Sequence, residues 1–96
     1  MLDITLQAAA EQDLIDIWLY TFHKWGERQA DLYLDEINRG IQTIAENPRI
    51  GMDCGYVRQG YRRFSVNHHK VFYWLCENRI EIIRVLHERM DVEQHL

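Results

Sequence analysis

The sequence predicts a two-layer α+β domain in which an α-helical hairpin packs on a mainly antiparallel sheet of four strands. Three observations carry that expectation. Two long segments with helical hydrophobic spacing meet at a single glycine, Gly26. Three apolar, β-branched and aromatic runs follow, separated by two-residue turns. The chain has 96 residues, room for one domain spanning 1–96.

Leu2, Ile4 and Leu6 alternate with Asp3 and Thr5, the period of a short strand with one apolar face. From Ala8 the period lengthens. Leu14, Trp18, Phe22 and Trp25 recur at helical steps beside Ile15 and Leu19, and these aromatics are expected in the core. Gly26 offers a left-handed stop. A second helix is expected from Glu27 to Glu46, with Ala30, Leu34, Ile37, Ile41 and Ile44 as its seam. Pro48 disfavours helical geometry at Asn47 and ends it.

Residues Arg49 to Gly60 hold three glycines and no steady period, so they read as a loop. Tyr61 to Val66 is a strand, Asn67-His68 a tight turn, and His69 to Cys76 the next strand. Glu77-Asn78 turns the chain into Ile80–His87, apolar at nearly every position like a strand covered on both faces. The polar tail from Glu88 has room for a helical turn. The hairpins make these three strands antiparallel neighbours, and the helical pair needs one face of their sheet to cover.

A formal net charge of −4 and a pI near 5.7 argue against direct nucleic-acid binding driven by phosphate neutralisation. The basic residues nevertheless concentrate late, at Arg58, Arg62, Arg63, Lys70, Arg79, Arg84 and Arg89. An acidic molecule of this kind leaves room for a local basic face. Cys54 and Cys76 lack CxxC spacing and read as free thiols of a reducing compartment. Neither has an activating base nearby in sequence. No run approaches the roughly 20 apolar residues of a membrane span, and the N-terminus lacks a signal-peptide pattern. The expected location is the cytoplasm. His68 and His69 diverge as neighbours in a turn and strand and have no third ligand at suitable spacing, so no metal site is expected.

Three strings in order carry a family resemblance: Gly60-Tyr61-Arg62-Arg63-Phe64, His69-Lys70-Val71-Phe72-Tyr73, and Ile82-Ile83-Arg84-Val85-Leu86-His87-Glu88-Arg89-Met90-Asp91. The last resembles the I-x-R-V-L-H-x-R-x-D ending of ParE-like toxins, and Glu46-Asn47-Pro48-Arg49-Ile50-Gly51 is similar to that family's helix exit. The whole chain thus resembles the RelE/ParE superfamily of type II toxin–antitoxin systems, on its ParE branch.

The resemblance implies a toxin that inhibits DNA gyrase by binding, with no catalytic residue and no cofactor. It also implies a neutralising ParD-like antitoxin of ribbon-helix-helix type, in a higher-order complex that carries any operator contact. The alternatives are a RelE-like ribosome-dependent mRNA endonuclease and a non-toxic binding module of the same fold. Cleaving RNA requires a base, an acid and cations for the phosphate. His87 with Arg62 or Arg63, Arg84 and Arg89 could assemble such a set. Against it, the RelE-like pattern ends in a tyrosine-bearing tail, whereas no tyrosine follows Trp74 here and Asp91 and Glu93 occupy that end.

Arg84, His87 and Arg89 are therefore the candidate residues for binding target or antitoxin, with Arg62 or Arg63 next. The plainer reading makes His87 a strand-end hydrogen-bonding group and pairs Arg89 with Asp91. Arg62 and Arg63 must lie on opposite sheet faces.

Overall fold

A computed structural model describes residues 2–96. The elements run β1 (Asp3–Leu6), α1 (Ala8–Trp25), α2 (Glu27–Glu46), β2 (Met52–Asp53), β3 (Tyr61–Val66), β4 (His69–Cys76), β5 (Arg79–His87) and α3 (Val92–His95). They form one five-stranded sheet in the order β1-β5-β4-β3-β2. The fifth strand corrects the expected four. Met52 and Asp53 pair antiparallel with Arg63 and Arg62. Two residues are too few to show a period, so nothing in their own sequence marks them as a strand.

The helical hairpin breaks at Gly26, whose φ of 91° suits a residue without a Cβ. Both tight turns rest on a residue in the left-handed region, Asn67 and Glu77. β1 joins β5 in parallel, with Ile4 opposite Ile80 and Leu6 opposite Ile82, and the remaining pairs are antiparallel. A bulge between Phe72 and Tyr73 shifts the β4–β5 register, so Phe72 faces Arg84 while Tyr73 faces Ile82.

The main core lies between the hairpin and the sheet. Ala10 of α1 and Ile37, Ile41 and Ile44 of α2 pack on Val71, Tyr73, Ile80, Ile82 and Val85. Gly40 lets α2 approach β3, because a Cβ there would sit 2.4 Å from Val66 Cγ2. Tyr73, fully buried, donates its hydroxyl to the Pro48 carbonyl at 2.6 Å and accepts from the Gly51 amide at 3.0 Å. That pair of bonds pins the segment leading from α2 to β2.

The opposite face of the sheet is covered by the C-terminal tail. Val92 and Leu96 pack on Phe72, Leu86 and Cys54, and the Asp91 carboxylate caps α3 by accepting from the Glu93 amide. β5 is thus buried on both faces, as its continuous apolar run predicts. Both cysteines are free thiols, Cys54 fully buried in this second layer.

The aromatic stripe of α1 departs from expectation. Trp25 is 64% exposed and Phe22 39%, beside exposed Ile15, Leu19 and Tyr20, while Trp18 is half-buried. The core takes only Ala10, Leu14 and Ile17 from this helix. Helical spacing defines a stripe but not which neighbour covers it. Here Trp18 stacks on Phe22, one turn along the same helix, at 5.1 Å and donates its Nε1–H to Asp31 of α2 in an exposed contact. Among the described residues, no helix is long and apolar enough to cross a membrane.

Candidate functional site

β1 is short. It accompanies β5 only from Arg79 to Ile82, so the last residues of β5 present an edge that no strand covers. Asp13 of α1 closes part of it. Its carboxylate accepts from the Val85 backbone amide at 2.9 Å and from Arg84 Nε and Nη2 at 2.7 and 2.8 Å. Arg84 also donates Nη1 to the His95 carbonyl at 2.9 Å, so one guanidinium joins α1, β5 and the C-terminal tail. The bidentate geometry matches the planar fork of guanidinium to carboxylate.

Beyond this clamp lies a groove of about 1060 Å³. Tyr20 and Trp25, with the aliphatic Ile17, form its aromatic wall on the hairpin side. The facing wall carries His68, His69, His87 and Arg89, and Tyr33 of α2 lies between. His87 sits directly across from His69 on the neighbouring strand. Their rings meet edge to face at 5.2 Å, and His68 stacks on His87 at 6.5 Å.

Each histidine has a partner. His68 Nδ1 lies 3.2 Å from Glu88 Oε1, an exposed contact, and its hydrogen bond draws the Glu88 carboxyl below the usual range. His87 Nδ1 accepts from the Arg89 amide at 3.2 Å, which leaves Nε2 to carry the proton of the neutral ring. His69 Nδ1 lies 2.5 Å from the Tyr33 hydroxyl. Burial, together with the neighbouring His87 and His68, holds the His69 pKa down to about 4, and burial pushes Tyr33 up. At neutral pH, Tyr33 is therefore the donor and His69 a neutral acceptor.

The structure brings Arg84, His87 and Arg89 together at this groove. Arg62 and Arg63 lie two strands away on β3. Arg62 is opposite Tyr73 on the helix-covered face and donates to the Gly51 carbonyl at 2.8 Å. Arg63 is opposite Phe72 on the other face, near Tyr56 and Met52. The Arg89–Asp91 pair does not form: Asp91 is occupied as the cap of α3. Sequence reasoning missed Asp13, Tyr33, Tyr20 and Trp25 as lining residues. Asp13 and Arg84 are 71 positions apart, and no local pattern links them. Tyr33 sits at seam spacing on α2, three residues after Ala30 and four before Ile37, and packs against the core, so nothing local sets its hydroxyl apart. Among the described residues, no three His, Cys, Asp or Glu side chains are arranged to hold a metal ion.

The family model described as "ParE toxin of type II toxin-antitoxin system, parDE" matches residues 4–92. The chain belongs to the ParE toxin family. A Mycobacterium tuberculosis relative, Toxin ParE1, is 45% identical over 92 residues, covering 95% of this chain and 94% of the relative. Toxin ParE1 of Caulobacter vibrioides is 44% identical over 91 residues, with the same coverage of each chain. Among solved structures, the chromosomal ParDE system from P. aeruginosa matches with a TM-score of 0.79 at 16% identity, over 91% of this chain and 96% of that one. The Staphylococcus aureus YoeB dimer has a similar fold at a TM-score of 0.59, with 20% identity, 90% of this chain and 95% of that one. Arg84, His87 and Arg89 lie within the matched residues, whereas His95, which also lines the groove, lies beyond them.

Proposed function

We propose that this ParE-family chain acts in the cytoplasm as a toxin that blocks DNA gyrase by binding it, without a reaction of its own. A ParD-like antitoxin of ribbon-helix-helix type would neutralise it in a higher-order complex, laying an amphipathic tail on the aromatic wall of the groove. The observation that carries the binding-only reading is the state of Arg84. Of the arginines at the groove, Arg84 is bonded bidentately to Asp13 and donates to the His95 carbonyl. A phosphodiester would have to compete with a carboxylate already seated on it. The absence of a tyrosine after Trp74 and the acidic Asp91 and Glu93 of the tail support the same reading.

Induced expression without antitoxin tests it, with DNA and protein synthesis followed by pulse labelling over the first minutes. DNA synthesis is expected to fail first, and the purified chain to inhibit supercoiling by gyrase. Protein synthesis failing first would sink the proposal and favour ribosome-dependent cleavage of mRNA. Replacing His87 and Arg89 together by alanine is expected to weaken toxicity in a protein that still folds, since both sit at the groove and neither is in the core.

A further inference from the structure

We propose that Tyr33, His69 and His87 form an acid-labile latch that ties α2 to the β4–β5 hairpin and closes one wall of the groove. Tyr33 projects from α2, His69 opens β4 and His87 ends β5, so the three side chains join three elements at one place. The Tyr33–His69 bond is 2.5 Å, and the ring of His69 meets Tyr33 at 5.4 Å and His87 at 5.2 Å. Nearby, the His68 backbone also hydrogen-bonds Tyr33, and Asn67 of the adjoining turn donates to Glu36 in an exposed contact.

A protonated His69 could still donate to the tyrosine oxygen. The acid sensitivity comes instead from charge. His69 is half-buried, and a proton on it would stand beside His87 and His68, which stack on each other. Glu88 and Asp13 favour such a charge, but less than burial and the two neighbouring histidines oppose it, and the nearby carboxylates already have partners. From α1, Asp13 is held by Arg84 and Val85, and Asp16 accepts from Gln12. From α2, Glu36 is taken by Asn67, and after β5 Glu88 is paired with His68. The remaining charged or titratable groups facing the cluster, Arg84, Arg89 and His95, are basic. Protonation is therefore relieved by opening: with Tyr33 released and the ring in water, His69 returns to ordinary basicity.

The size of the response follows from linkage. With a pKa of about 4 in the closed form and 6.5 when released, lowering the pH from 7 to 5 shifts the opening equilibrium by roughly 20-fold. Solvent screening at a half-exposed site reduces this to about tenfold. Gating of this kind needs neither gyrase nor an antitoxin, so it stands or falls separately from the proposed function.

Hydrogen exchange of the isolated chain at pH 7 and pH 5, corrected for intrinsic rates, tests the latch. Protection of amides near Tyr33 and His69 is expected to fall about tenfold between pH 7 and pH 5 and to stay below that of Val71 and Ile82 in the core at both, because local opening exposes them before global unfolding does. The variant His69→Gln, which keeps an acceptor but cannot be charged, should abolish that fall. In Tyr33→Phe the same amides should already be loosened at pH 7. Protection at the latch as high as in the core, or an unchanged acid response in His69→Gln, would overturn the proposal. So would a His69 ring that titrates near 6.5 in the folded protein by carbon-13 histidine NMR.

Discussion

Removing the Asp13 carboxylate is expected to cost this fold a large part of its stability. In the native state the side chain is 11% exposed and its partner Arg84 22%. Three hydrogen bonds converge on it, two from the guanidinium and one from the Val85 amide. Asp13→Ala leaves the Val85 N–H unpaired at the uncovered edge of β5, a loss of about 1–3 kcal/mol for a buried donor. It also strands Arg84, with only the His95 carbonyl left. A fully buried broken pair would add about 3–5 kcal/mol, but Arg84 can reach water, so the total should lie near 2–4 kcal/mol. A domain of this size has on the order of 5–14 kcal/mol in all.

Asp13→Asn separates the two contributions. Its amide oxygen can still accept from Val85, whereas the charge is gone, so about 1–2 kcal/mol should be lost. Equilibrium urea unfolding followed by far-UV circular dichroism measures both. Pairing Asp13→Asn with Arg84→Met in a double-mutant cycle should show coupling above about 1 kcal/mol. If Asp13→Ala stayed within about 0.5 kcal/mol of the parent, the clamp would be a surface pair of little consequence. If Asn were as harmful as Ala, the assignment of part of the loss to the Val85 amide would be wrong.

Tyr73→Phe removes the hydroxyl that joins Pro48 to Gly51, and should cost about 1–2 kcal/mol in the same urea titration while leaving far-UV spectra unchanged. Gly40→Ala drives a methyl into Val66 and should destabilise by about 1–3 kcal/mol; adding Val66→Ala should recover part of the lost melting temperature. Stability should also fall with acid. His69 is held neutral by a pKa lowered to about 4, so below pH 6.5 the unfolded chain gains a proton that the folded one refuses. The loss should build between pH 6.5 and 4 and level off below. Screening at a half-exposed ring limits it to about 1–2 kcal/mol, and thermal melts of His69→Gln should lack that component.

The element order was legible in the residues because it depends on local periods. The 3.6-residue seam of α2, the alternation of β1, the breaks at Gly26 and Pro48, and the turns at Asn67 and Glu77 all act within a few residues of themselves. So was the run from Ile82 to Asp91, which points to the family together with the two strings before it, in their order and spacing. That run also supplied Arg84, His87 and Arg89, three residues the groove brings together.

Periodicity could not say which surface covers a stripe. Trp25 and Phe22 repeat at helical spacing as a core residue would, yet both stay exposed, and Trp25 lines the groove. The two-residue strand β2 exists only because β3 is there to pair with it. Arg84 keeps the same place in its motif whether it meets a ligand or a carboxylate, and Asp13, 71 residues earlier, decides the matter. The latch likewise needs α2, β4 and β5 in one place before Tyr33 can reach His69. Spacing along a chain determines which face a side chain shares with its neighbours, whereas burial, charge pairing and acidity depend on atoms brought from distant segments, and only the folded chain supplies those.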